Sequence, residues 1–367
     1  MLKKVLLLVF LILSVSGAPA ESSGENKNHA VQYEKGQVIA VGELDSTMRK
    51  QYFMEQGELV TIRLTSGPDA GKIVEAFNYF SGKSPYEIRV NPGDKIIVAI
   101  ASDLGKTTYH VSDFQRFDYV YVLLGIFVAC LVVFGGIVGI KSVLVIGVST
   151  LIIFDFFIGQ VLTSHMSLTL LTLLVSVVIA TLTLVTISGW NKKSFAAIAG
   201  TIGGVTIAGV LSMLAIKLMH LTGLDSEEAM LLKAALLPNI DFQGVLFAGM
   251  VLGALGAVMD VTISIASALY EVKAIRPSIG LKELFVTGMN VGRDIMGTMS
   301  NTLILAYAGS SLPLMLLIAS QQQTAPLKIM NLNLIVTEIA RALTGSIGLI
   351  CAIPLTAFIT ALLLKDK

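Results

Sequence analysis

Residues 119–140 read Tyr119-Val-Tyr-Val-Leu-Leu-Gly-Ile-Phe-Val-Ala-Cys-Leu-Val-Val-Phe-Gly-Gly-Ile-Val-Gly-Ile140, without one charged side chain. A helix needs about 20 such residues to cross about 30 Å of hydrocarbon. Further stretches of this kind follow at 142–160, 167–188, 194–216, 242–268, 298–319 and 344–364. The whole chain is 54% hydrophobic with a mean hydropathy of +0.79, well above a soluble domain of this length. The expected fold class is therefore a mainly α membrane protein with about seven transmembrane helices. Residues 281–297 admit three readings: a cytoplasmic amphipathic helix, a re-entrant piece or an eighth span.

Upstream of the spans the pattern changes. Residues 1–20 have the form of a signal peptide: Lys3 and Lys4, an apolar run from Val5 to Leu13, then Ala18-Pro19-Ala20 as a cleavage pattern. Residues 21–33 are polar and without periodicity, as in a flexible leader. Residues 34–117 read as a β-domain. Strands are expected at 58–64, where Val60, Ile62 and Leu64 alternate, and at 72–77, 86–90, 94–100 and 107–111. Turn signals separate them, such as Gly67-Pro68-Asp69 and Asn91-Pro92-Gly93. Short strands with tight turns in so few residues suggest a small OB- or SH3-like β-barrel. Residues 118–367 form the multi-pass domain.

The net charge of +1 gives no electrostatic basis for nucleic-acid binding. Residues 21–118 hold 14 acids and 11 basic residues, a local charge of −3, which suits a hydrated domain. Cys130 and Cys351 both fall in apolar runs, so neither a disulfide framework nor a Cys/His zinc spacing is present. With the β-domain extracytoplasmic, the inward connections carry eight basic residues (Lys141, Lys192, Lys193, Lys273, Arg276, Lys282, Lys365, Lys367) and the outward ones three (Lys217, Lys233, Lys328). That bias predicts a seven-span protein with its C-terminus in the cytoplasm.

Charges inside the spans are few, which makes them the candidate functional residues. Gly249, Gly253, Gly256, Asp260, Ser264 and Ser267 recur at helical spacing and so share one face. Glycines on such a face let a neighbouring backbone approach, so the face is expected to be packed and Asp260 to need a partner. Asn290, Asp294, Thr298 and Asn301 line one side of the next segment beside Arg293, and an Asp260–Arg293 pair is expected. Glu338 and Arg341 stand at i, i+3 before the last span, as in a helix-surface ion pair. Thr169, Thr172, Ser176, Thr183 and Thr186 lie on one face of the third span, where hydroxyls serve packing. No Walker A, GxSxG, HExxH or Rossmann sequence occurs, and no cofactor is expected.

Three segments carry a family resemblance: Gly253-Ala-Leu-Gly-Ala-Val-Met-Asp-Val-Thr-Ile-Ser, Gly292-Arg-Asp-Ile-Met-Gly-Thr-Met-Ser-Asn-Thr-Leu and Glu338-Ile-Ala-Arg-Ala-Leu-Thr-Gly-Ser. The chain resembles the YibE/F family of bacterial multispan membrane proteins over nearly its whole length, β-domain included. The resemblance implies an inner- or plasma-membrane location and assigns no activity. From the residues themselves, the leading expectation is a permease or permease-like subunit for a small solute or ion. Asp260, Ser264, Arg293, Asp294, Thr298, Asn301, Glu338 and Arg341 either line its path or lock its helices. A scaffold whose external β-domain binds a partner is the alternative; an intramembrane enzyme using paired Asp residues is the weaker one. The partners expected are the lipid bilayer, a small solute or ion, and a second copy or another membrane protein.

Overall fold

The computed structural model describes residues 31–43, 56–80, 87–103, 106–163, 166–320 and 325–365. The expected signal and most of the expected leader lie outside these residues. The chain divides into a barrel unit ending at Cys130 and a helical unit beginning at Leu131.

Five strands close the barrel: β1 (Gln32–Glu43), β2 (Gln56–Leu64), β3 (Ile73–Phe80), β4 (Lys95–Asp103) and β5 (Lys106–Phe114), in the order β1-β2-β3-β5-β4. All neighbours run antiparallel except β3 and β5, which meet in parallel at Phe77 and His110. The order is that of a five-stranded Greek-key barrel, nearer the OB-like expectation than the SH3-like one. Strand alternation fills it, with Val38, Val60, Ile62, Leu64, Ala76, Ile96 and Val98 inward. β1 closes the ring by pairing with β4 through its first half and β2 through its second, and a bulge between Val38 and Ala40 bends it. The sequence pattern did not single out β1. The strand expected at 86–90 is absent from residues 87–90. There Val90 fills the core as a loop residue, and the Asn78 side-chain amide donates to the Ile88 carbonyl over 2.7 Å.

The helical part begins with α1 (Phe117–Leu151), which continues through a π-helical stretch (Ile152–Phe157) into α2 (Ile158–Thr163). Gly136 interrupts it with φ 54° and ψ −127°, a left-handed conformation that glycine adopts without a Cβ clash. A Cβ on Gly139 would fall 1.8 Å from the Leu131 carbonyl oxygen. In a straight helix eight residues span about 12 Å, so the chain turns sharply between the two. Next come α3 (Leu168–Ser188), α4 (Lys192–Leu218), the short α5 (Glu227–Leu231), α6 (Phe242–Ile275), α7 (Leu281–Ser310), α8 (Leu312–Ser320), α9 (Pro326–Met330) and α10 (Asn333–Leu363). Asn191 caps α4 by accepting from the Ser194 N–H, and Asp241 caps α6 by accepting from the Gly244 N–H.

Among the described residues, five helical stretches are long and apolar enough to cross a bilayer; a sixth is counted if α7 and α8, bent by 61°, form one span. The seven expected are reduced because residues 117–163 count as one stretch. Residues 281–297 are not a separate element: they are the first half of α7, continuous with the sixth expected span. The bend falls at Ser311, just before Pro313, whose ring favours a helix start over a helix interior. The last span begins at Asn333, earlier than expected, because its charged first turns are helical too.

The helical unit is organised around α4, α6 and α10, with α3 packed on α4 and α6 and with α7 packed on α6 and α10. Small residues set the distances. A Cβ on Gly204 would lie 2.6 Å from Ala352 Cβ and 3.0 Å from the Gly348 carbonyl oxygen; one on Gly348 would lie 2.8 Å from the Gly204 carbonyl oxygen. The α4 and α10 backbones therefore touch, as membrane helices do where side chains are missing. Thr201 and Thr262 share a buried hydroxyl hydrogen bond of 2.8 Å between α4 and α6, and the Ser212 hydroxyl donates to Thr344 over 3.2 Å. In α3, Thr172 and Ser176 donate to helix carbonyls four residues back, which fits the packing role expected of that face. Gly204→Val is expected to cost roughly 1–3 kcal/mol through overpacking. Gly125→Ala, where an added Cβ meets nothing within 4 Å, is expected to be neutral. Thermal unfolding of the detergent-solubilised protein checks both, and equal melting temperatures would contradict the α4–α10 contact.

Candidate functional site

Two polar groupings stand out in the helical unit. The first follows the glycine row of α6. Gly249, Gly253, Gly256, Asp260 and Ser264 do share a face, but that face is exposed along its length. An added Cβ on Gly249 or Gly256 would meet no atom within 4 Å, and on Gly253 it would first meet the Tyr307 side chain. The expected close packing is instead found at Gly200 and Gly204 of α4, Gly288 and Gly292 of α7, and Gly348 of α10. α6 turns its other side, with Val258, Val261, Thr262 and Ile265, to the core. The Ser264 hydroxyl donates to the Asp260 backbone carbonyl, which leaves the carboxylate to the surface.

On α7, Arg293, Asp294, Thr298 and Asn301 are exposed as well. Arg293 donates from Nη1 to Asn290 Oδ1 over 3.2 Å, and Thr298 donates to the Ile295 carbonyl. Among the described residues no ion pair joins Asp260 to Arg293, which corrects the pairing expected from the sequence. The reason is rotational. A Cβ on Gly292 would meet Ile353 and Ile265, and one on Gly288 would meet Ala357 and Leu269, so that side of α7 packs on α6 and α10. Arg293 is about 100° further round the helix, pointing away from the contact. The result is a stripe of carboxylates, amides, hydroxyls and a guanidinium on neighbouring outward faces of α6 and α7. Other outward faces are apolar: Leu170, Leu174 and Val178 on α3, Val210 and Met213 on α4, Leu343, Ile347 and Ile350 on α10.

The second grouping lies where α10 begins. Glu338 and Arg341 form the expected pair at 2.6 Å, and Arg341 also reaches Asp225 at 3.5 Å. The three side chains are only 14–23% exposed. Two carboxylates share one guanidinium, which leaves the group at −1. Glu338 Oε2, Arg341 Nε, Tyr307 Oη and Thr337 Oγ1 are buried without a protein partner. Asp225, in the connection from α4 to α5, was missed by the sequence reading because its partner is remote in the chain; Asp225-Ser226-Glu227 reads locally as a helix start, and Ser226 does cap α5. Thr222 of the same connection accepts from the Asn333 side chain over 3.3 Å. Near this end, a cleft of about 510 Å³ opens between residues 161–163 and 166–168 on one side and 236–241 on the other; Asp260 is not in its lining.

Among the described residues no group of three or more His, Cys, Asp or Glu is placed to hold a metal ion. Long apolar helices in contact through small residues, with hydroxyls bonded back onto their own helices, define a polytopic α-helical membrane protein. The chain belongs to the YibE/F-like protein family, whose model matches residues 123–366. The matched residues begin past the barrel, so the match bears on the helical part of the resemblance. No curated protein and no solved structure matches the chain.

The triad yields a direct test. Arg341→Gln removes the cation shared by two half-buried carboxylates and is expected to cost roughly 3–5 kcal/mol, more than either Asp225→Asn or Glu338→Gln. Combined with either of those, its effect is expected to be less than additive. Unfolding midpoints of the single and double variants read this out; strict additivity would show that the three do not interact.

Proposed function

We propose that this membrane protein is a permease or permease-like subunit for a small ion, with a cation the best match by charge. One observation carries the reading: the stripe of Asp260, Arg293, Asp294, Thr298 and Asn301 on the outward faces of α6 and α7. A charged side chain at mid-helix costs roughly 3 kcal/mol in a bilayer and marks a path or a partner rather than a lipid contact. Two carboxylates against one guanidinium leave the stripe at −1, which attracts cations. In reconstituted vesicles, flux of Na⁺, K⁺ or H⁺ above that of empty vesicles is expected. Asp260→Asn and Asp294→Asn are each expected to reduce it by about tenfold or more, as intramembrane carboxylates on a path do. Flux equal to empty vesicles for every ion would end the permease reading.

The topology proposed with it has seven spans. The turn at Gly136 makes two spans of residues 117–163, and α7 with α8 makes one. The barrel then faces the extracytoplasmic side and the C-terminus the cytoplasm, supported by the eight-to-three distribution of basic residues. With Cys130 and Cys351 replaced by Ser, a membrane-impermeant thiol reagent added outside intact cells is expected to label Lys72→Cys and to spare Lys365→Cys. Labelling of Lys365→Cys from outside would require an even number of spans.

A further inference from the structure

We infer that the α6–α7 stripe is the interface with a second copy of this chain, and that Asp260 of one copy pairs with Arg293 of the other. The argument begins with register. Ile265 lies opposite Gly292, and Leu269 opposite Gly288. Eleven residues further along each helix, Ala254 and Leu303 converge on Gly345 of α10. The antiparallel register of α6 and α7 is thus constant along their contact, which sets Asp260 level with Gly297. Arg293 is four residues away, about 6 Å in depth, within the span of an extended Arg side chain.

A two-fold axis along the membrane normal keeps depth unchanged and sets α6 of one copy beside α7 of the next. Such an interface is self-complementary, and each contact occurs twice. It joins the Asp260 carboxylate to the Arg293 guanidinium, whose side-chain partner among the described residues is Asn290. Gly249 and Gly256 have no neighbour within 4 Å of an added Cβ, which permits close approach of the second copy there. The other outward faces are apolar and suit lipid; this one carries opposite charges at matching depth and suits itself. On the permease reading, the Asp294 carboxylates left unpaired line a path enclosed between the copies.

Single-molecule photobleaching of the labelled full chain in phosphatidylethanolamine–phosphatidylglycerol vesicles tests the pairing. Two-step bleaching is expected for the native chain. Asp260→Arg and Arg293→Asp are each expected to raise the dimer dissociation constant by about tenfold or more, since each sets like charges opposite one another. The double variant is expected to restore two-step bleaching, which a misfolded pair of substitutions would not do. Proximity is read separately in a background with Cys130 and Cys351 replaced by Ala. Differently tagged chains carrying Gly256→Cys and Gly297→Cys are expected to cross-link to each other, and Leu174→Cys chains are not. Single-step bleaching of the native chain overturns the inference, as does failure of the double variant to restore dimers or cross-linking through Leu174→Cys instead. These measurements read association and not flux, so a monomer that conducts ions sinks the interface alone, and a dimer that conducts nothing sinks the permease alone.

Discussion

The contact on which the helical unit depends is the approach of α4 to α10, where two backbones meet with no side chain between them. Gly204 and Gly348 each occupy space that a Cβ on the other would need, and Ala352, Ala208 and Thr356 complete the seam. Lipid tails are as apolar as leucine, so burial alone does not drive membrane helices together; close van der Waals contact and a few hydrogen bonds do. α6 packs into the groove that this seam forms, held by the Thr201–Thr262 bond, and α7 settles on α6 and α10 through Gly288 and Gly292. The orientation of α7 fixes which of its side chains are turned outward.

The bundle treats its polar groups in three ways. Several buried hydroxyls bond to a carbonyl four residues earlier in their own helix, as Thr172, Ser176, Thr356 and Thr360 do, and so place few demands on neighbours. The Asp225–Arg341–Glu338 group is paired but incompletely satisfied. It ties the connection after α4 to the start of α10, while retaining a net negative charge. Among the described residues the α6–α7 stripe has no ion-pair partner for its carboxylates, and Asn290 meets only Arg293 of the same stripe. Polar groups left open at the depth of the spans are costly, and their concentration on one side of one helix pair gives the molecule a distinct polar face.

Much of this was legible in the residues. Long apolar runs identified the spans because backbone groups in hydrocarbon must bond within the segment, which makes length and hydropathy sufficient signals. Alternation in residues 58–64 and the glycine turns identified the barrel. β1 was less legible, because its glycines and polar residues blur the period-two pattern. Residues 87–90 of the strand expected at 86–90 differ for the opposite reason: Ile88 and Val90 alternate correctly, yet they serve the core as a loop.

The sequence by itself determined the class, four of the barrel strands, the long apolar stretches and the residues that bear charge within them, since all of these follow from local composition and period. It also placed Gly249, Gly253, Gly256 and Asp260 on one face, as helical geometry requires. Tertiary structure alone decided what that face meets. Which side of α6 turns inward depends on the combined fit of α4, α7 and α10 against it, and that fit chose Val258, Val261 and Thr262 over the glycines. By the same rotation Arg293 was carried away from Asp260, and Asp225, 116 residues before Arg341 in the numbering, was brought within ion-pair distance of it. Period fixes the angle between side chains on one helix, but only packing fixes the direction in which the helix as a whole is turned.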